Sequence, residues 1–229
     1  GPQRVAVGAV VEQDRAGVVQ LVGQAHAQRG GRLLRECLDV GALALVPAAG
    51  AAARRIEAAC ASGLPAQELL ATVGTERELL QAWLDFHRQT LRWKCSGLTP
   101  EQLCEASAPP SRMSLAGLMR HMTDVEVWWF GRVAVGDESA TDRYPGQDED
   151  LCEATAQTVA ADWEAFEAAI RRSDEVFATL NLDATAAWTH PRRGPVSNRW
   201  ILIHMVEEWA RHNGHADLIR ERIDGAAGD

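Results

Sequence analysis

Five side chains in this 229-residue sequence have the types and the spacing to hold a metal ion. His204, Glu208, His212 and His215 crowd one stretch, and His121 stands alone between Leu118 and Val125. Read as a helix at about 100° per residue, His204, Glu208 and His215 fall within about 40° of one another, and His212 lies about 40° beyond Glu208 on the same side. An imidazole and a carboxylate one turn apart can both reach a single cation, and a histidine on the apolar side of a second helix is a natural third donor. Plainer readings stand beside this one. Residue 121 also suits a hydrogen-bonded core histidine, and Glu208 with His212 also suits a surface ion pair worth a few tenths of a kcal/mol.

The elements that must position these residues are helices. Thr75 with Glu78, and Thr99-Pro100 with Gln102, are capping boxes, the second with proline at the first helical position. The first box predicts a helix to about residue 95 that carries Leu79, Leu80, Trp83, Phe86, His87 and Leu91; the second predicts a short turn over residues 100–105. A loop with Pro109-Pro110 follows, and then Leu115, Leu118, Met122, Val125 and Trp129 repeat at helical spacing to about residue 135. A polar loop with Gly136, Pro145 and Gly146 precedes a third long helix, whose inward stripe is Val159, Trp163, Phe166, Ile170, Phe177 and Leu180. Pro191, Gly194 and Pro195 mark the next loop. The fourth long helix runs from an N-cap at Ser197 to Gly225, a residue suited to a left-handed C-terminal cap. No period-2 strand pattern is convincing, so the class is all-α, a four-helix bundle.

The chain divides near Gly74. Residues 1–73 hold seven Arg against six Asp and Glu and none of the thirteen aromatic residues, so against a whole-chain formal charge of −9 this segment is +1 and residues 74–229 carry −10. Without large side chains the first segment is poorly equipped to build its own core. It reads as helices over residues 10–28, 32–45, 49–61 and 65–73 that pack on the bundle or form a dimerisation arm. The acidic balance argues against nucleic acid as a partner. The longest apolar run, residues 41–53, is broken by Pro47 and falls short of the roughly 20 residues of a membrane span. Residues 5–11 lack the basic flank of a signal peptide, and a cytoplasmic protein is expected. The five cysteines form no C-x-x-C pair and are expected to be reduced, buried thiols. A single lysine, Lys94, among 23 basic residues, together with abundant alanine, hints at a GC-rich genome.

Three runs carry a resemblance over residues 75–225: Thr75-Glu76-Arg77-Glu78-Leu79-Leu80; Ser114-Leu115-Ala116-Gly117-Leu118-Met119-Arg120-His121-Met122; and Arg199-Trp200-Ile201-Leu202-Ile203-His204-Met205-Val206-Glu207-Glu208, continued by Ala210-Arg211-His212-Asn213-Gly214-His215-Ala216-Asp217. The chain resembles the DinB-like superfamily and, within it, the actinobacterial mycothiol-dependent thiol-transferase branch. The resemblance implies a DinB-like bundle preceded by an extra N-terminal segment. It also implies one divalent metal on His121, Glu208 and His212, zinc before nickel, iron or manganese. Glu208 stands where many relatives have histidine, as in the mycothiol-dependent maleylpyruvate isomerase type. His204 and His215 are then expected in the pocket wall, with Arg211 beside them. Trp188, His190, Arg192 and Arg193 form a basic, aromatic loop patch suited to a thiol or substrate. Asp124 and Glu126 are candidates to orient ligands or sugar hydroxyls, although Glu126 lies about 140° around the helix from His121. Three protein ligands leave a position open for catalysis, and a coordinated thiol is deprotonated well below its free pKa of about 8.5. The expected activity is transfer of a low-molecular-weight thiol, mycothiol before bacillithiol or glutathione, to an electrophilic small molecule. Isomerisation on the same site, a non-haem iron oxygenase and a non-catalytic metal-binding interaction module are the alternatives. A homodimer is possible through the N-terminal segment.

Overall fold

The computed structural model describes residues 70–146, 148–189 and 194–227. The helices expected over residues 10–28, 32–45 and 49–61 lie outside the described residues, as do His190, Arg192 and Arg193. Of the helix expected over residues 65–73, the described end from Leu70 onward is not helical. Among the described residues there is no strand, only one antiparallel bridge between Thr185 and Ser197.

The helix ends follow the caps written in the sequence. In α1 (Glu76–Cys95) Thr75 accepts from the Glu78 N–H while the Glu78 carboxylate accepts from the Thr75 N–H, so two otherwise orphaned donors are satisfied. Thr99 and Gln102 do the same for α2 (Pro100–Leu103). Ser114 caps α3 (Leu115–Glu126) by accepting from Gly117 N–H. After a loop come α4 (Glu149–Cys152) and α5 (Val159–Thr179). Finally α6 (Asn198–Asp224) starts on Ser197 and ends on Gly225 at φ +78°, a backbone geometry that strains any residue with a Cβ.

Two features depart from the periodic reading. The helix that begins as α3 widens into a π-helix over Val127–Ala134, with hydrogen bonds closing five residues apart instead of four. The four-residue α4 sits inside what the sequence presents as a polar loop.

Packing sets α1 chiefly against α6 and α3 against α5. Leu84, Leu91, Leu115, Leu118, Met122, Phe130, Phe166, Ile201, Leu202, Met205 and Trp209 are essentially sealed from solvent. Of the apolar and aromatic residues expected along α1, His87 and Leu91 are buried. Trp83 is exposed, and the face turned inward carries Leu84, Asp85, Arg88 and Leu91. The reason is a buried ionic junction. Arg88 donates from Nε and Nη2 to the two oxygens of Glu126, 2.9 Å each, and from Nη1 to Asp174 at 2.7 Å. Trp209 donates its indole N–H to Glu126 at 2.9 Å. One carboxylate at the end of α3 therefore ties together α1, α6 and, through Arg88, α5. Burial opposes the charge on Arg88, but Glu126, Asp174 and Asp85 outweigh it and hold the guanidinium above its ordinary range.

The loop between the π-helix and α4 is pinned by the same kind of contact. Asp124 accepts from the backbone N–H of Arg143 at 2.8 Å and of Tyr144 at 3.1 Å, and the Tyr144 hydroxyl donates to Asp162 at 2.8 Å. Asp124 and Glu126 are thus taken up by the scaffold.

Candidate metal centre

α3 presents His121 two turns from its start, and α6 presents His204, Glu208, His212 and His215 along one side. The bundle brings the two sets together. The rings of His121 and His212 lie 4.6 Å apart between centroids. His121, Glu208 and His212 each offer one ligand atom, and the three atoms all lie within 4.8 Å of one another. His212 Nε2 is 3.4 Å from Glu208 Oε2.

Around these three, the other sequence candidates take defined places. His215 lies edge-on to His212 at 5.4 Å, and the Nδ1 atoms of both rings are buried without a hydrogen-bond partner among the described residues. His204 sits on the far side of Glu208, with Nε2 at 3.5 Å from Oε1. With Glu207 and Glu208 it forms a second grouping of potential ligands that shares Glu208 with the first. Arg211 is exposed and pairs with Glu207 and, at 3.5 Å, with Glu208. Trp188 packs edge-on against Trp128, its backbone N–H donating to the carbonyl of Val133.

Burial governs the charge state of one member of the cluster. It is the main cause that pushes His212 down to about 4, with help from the neighbouring His121, His215 and Arg211 and opposition from Asp150. At neutral pH the ring is therefore uncharged and its lone pair is available to a cation. Two imidazoles, one of them with an orphaned buried Nδ1, and one carboxylate form a donor set that fits a divalent transition metal.

Two parts of the site were not visible in the sequence. The first is Asp150 of α4, whose Oδ2 lies 2.6 Å from His121 Nδ1. The only hint of it was the acidic run Asp148-Glu149-Asp150, which carries no helical phase. The second is an aromatic wall. His204 stacks on Trp200 at 5.0 Å and meets Trp129 edge-on at 4.6 Å, which lines the Glu208 side of the cluster with two indoles. Trp129 belongs to the π-helix, so the wider turn decides what that side of the site is made of.

The described residues form an all-α bundle with this cluster between α3 and α6, and the family match fits a DinB-like branch of such bundles. Within that class the chain belongs to the mycothiol-S-transferase family, whose model matches residues 79–225. The match leaves residues 1–78 outside it. No curated protein and no solved structure matches the chain. Among the described residues no helix is long and apolar enough to cross a membrane.

Proposed function

We propose that the protein joins a low-molecular-weight thiol, mycothiol, through its sulfur to an electrophilic small molecule at a divalent metal, zinc before nickel, iron or manganese, held by His121, Glu208 and His212. The observation that carries this reading is the approach of those three donors, from two helices, to within 4.8 Å of one another. The family match favours thiol transfer over the oxygenase and the non-catalytic reading. When bound, the cation would supply the positive charge that lowers a thiol's pKa and holds it as a nucleophile at neutral pH.

The chain's own residues do the rest. Burial keeps His212 neutral, and the carboxylate of Glu208 offsets one positive charge of the cation. The indoles of Trp129 and Trp200, with His204 between them, line the Glu208 side of the cluster. Arg211, His215, Trp188, Arg192 and Arg193 are assigned to binding the thiol or the acceptor. A cytoplasmic location goes with this chemistry, because that compartment keeps thiols reduced. Residues 1–73 are assigned a packing or association role, which includes homodimer formation.

The test is metal content followed by thiol binding. One divalent ion per chain is expected, lost in His121→Ala and in His212→Ala, and bound more weakly in Glu208→Gln, which keeps the side-chain size and removes the anionic donor. With cobalt substituted, mycothiol should produce a sulfur-to-metal charge-transfer band in the near ultraviolet, absent with S-methylated mycothiol. A Cys95→Ser, Cys104→Ser, Cys152→Ser background removes the described protein thiols as a source of the band. Cys95 is in any case a poor competitor, since burial pushes its thiol up to about 12. No band with mycothiol, bacillithiol or glutathione would sink the thiol-transfer reading.

A further inference from the structure

We infer that Asp150 is a positioning residue for the metal centre and that Gly117 is the seat that puts it there. The inference rests on the proposed metal centre and adds a part that lies on none of the four long helices.

Asp150 is held at both oxygens. Its Oδ1 accepts from the backbone N–H of Leu151 at 2.9 Å, and its Oδ2 lies 2.6 Å from His121 Nδ1. The side chains of His121 and Asp150 are 25% and 17% exposed, so water competes poorly for the contact. A carboxylate can only accept here, which obliges Nδ1 of His121 to carry the proton. The nitrogen left with a free lone pair is Nε2, and the ring cannot turn over without giving up a short, charge-assisted bond. Asp150 therefore selects both the tautomer and the ring orientation of His121, and its charge makes the opposite nitrogen a stronger donor.

What holds Asp150 in place is a backbone contact. α4 is too short to be stable alone. It lies against α3 at Gly117, one turn before His121, so closely that a Cβ on residue 117 would stand 2.0 Å from the Leu151 carbonyl oxygen and 2.6 Å from its carbon. Both are backbone atoms, so rotating a side chain could not relieve the clash. Glycine at 117 lets the Leu151 backbone lie on the helix, and the preceding residue then reaches His121. Farther along, the Asp124 contacts to Arg143 and Tyr144 fix the loop that leads into α4.

The experiment measures zinc affinity by chelator competition, together with the cobalt ligand-field spectrum, on the full chain. Asp150→Ala should weaken zinc binding by about 10- to 100-fold and change the cobalt spectrum, while the melting temperature of the metal-free protein stays at its wild-type value. Asp150→Asn can still accept from Nδ1–H, so it should restore the cobalt spectrum and recover only part of the affinity. Gly117→Ala should weaken zinc binding without altering either side chain of the pair. If wild type needs both His121 and His212 for zinc and Asp150→Ala binds it as tightly as wild type, the metal centre stands and the role of Asp150 is overturned. If wild type takes up no divalent ion, or keeps it after both histidine substitutions, the proposed function itself has failed.

Discussion

His212 shows how far a single side chain can be set by where it is buried. The folded protein holds its pKa down to about 4 against the ordinary 6.5. Between those values the unfolded chain binds a proton there and the folded chain does not, so the metal-free protein loses stability as pH falls from about 6.5 toward 4, by up to roughly 3 kcal/mol. Urea unfolding as a function of pH should show this acid loss in wild type and a flatter profile in His212→Gln; parallel profiles would mean the ring is not the group responsible. Added zinc should move the loss to lower pH, because a proton and a cation compete for the same nitrogen. Much of the candidate site's geometry at this scale was legible. His121, Glu208, His212 and His215 lie on strongly periodic segments, where spacing converts directly into direction. Asp150 was not legible, because a residue in a loop has no phase to read. Glu126 was half legible: its angle correctly turned it away from His121, but only the packing shows that it turns toward Arg88 and Trp209 instead.

Among the elements, the junction of Arg88, Glu126, Asp174 and Trp209 fixes how the long helices sit on one another. Removing one partner of a buried ion pair leaves the other uncompensated, so Glu126→Gln should lower the unfolding free energy by about 3–5 kcal/mol. A joint Arg88→Met, Glu126→Leu replacement removes both charges and should recover most of that loss. A single variant costing less than about 1 kcal/mol in urea would show that the junction is a consequence of the packing and not a support for it. The same junction explains why the apolar residues of α1 do not by themselves give its inward face. Of Leu79, Leu80, Trp83, Phe86, His87 and Leu91, only His87 and Leu91 are buried, and the face is led by an arginine whose partners come from helices far away in sequence. Helix boundaries fared better, since Thr75, Thr99, Ser197 and Gly225 act within a few residues of themselves. The π-helix and α4 escaped for opposite reasons. The first keeps an apolar pattern close to that of an α-helix, and the second is too short to show any pattern.

For the whole molecule, residues 1–73 are expected to pack on the bundle or drive association. Trp83, Val135, Ile203 and Leu218 stand exposed among the described residues, at 43%, 42%, 55% and 61%. Deleting residues 4–73 should lower the melting temperature or change the mass in solution, with metal content retained. A truncated protein that is equally stable and equally associated but inactive would place substrate-binding groups in that segment instead. The π-helix has a consequence of another kind, for reading relatives. A turn that closes over five residues uses more chain per revolution than one that closes over four, so Val127–Ala134 consumes length that a plain α-helix would not. A relative that ran straight from Glu126 to the following loop would be shorter there, and its tryptophans would face elsewhere. Insertions and deletions in this stretch, more than substitutions, would then mark where family members diverge in what lines the site.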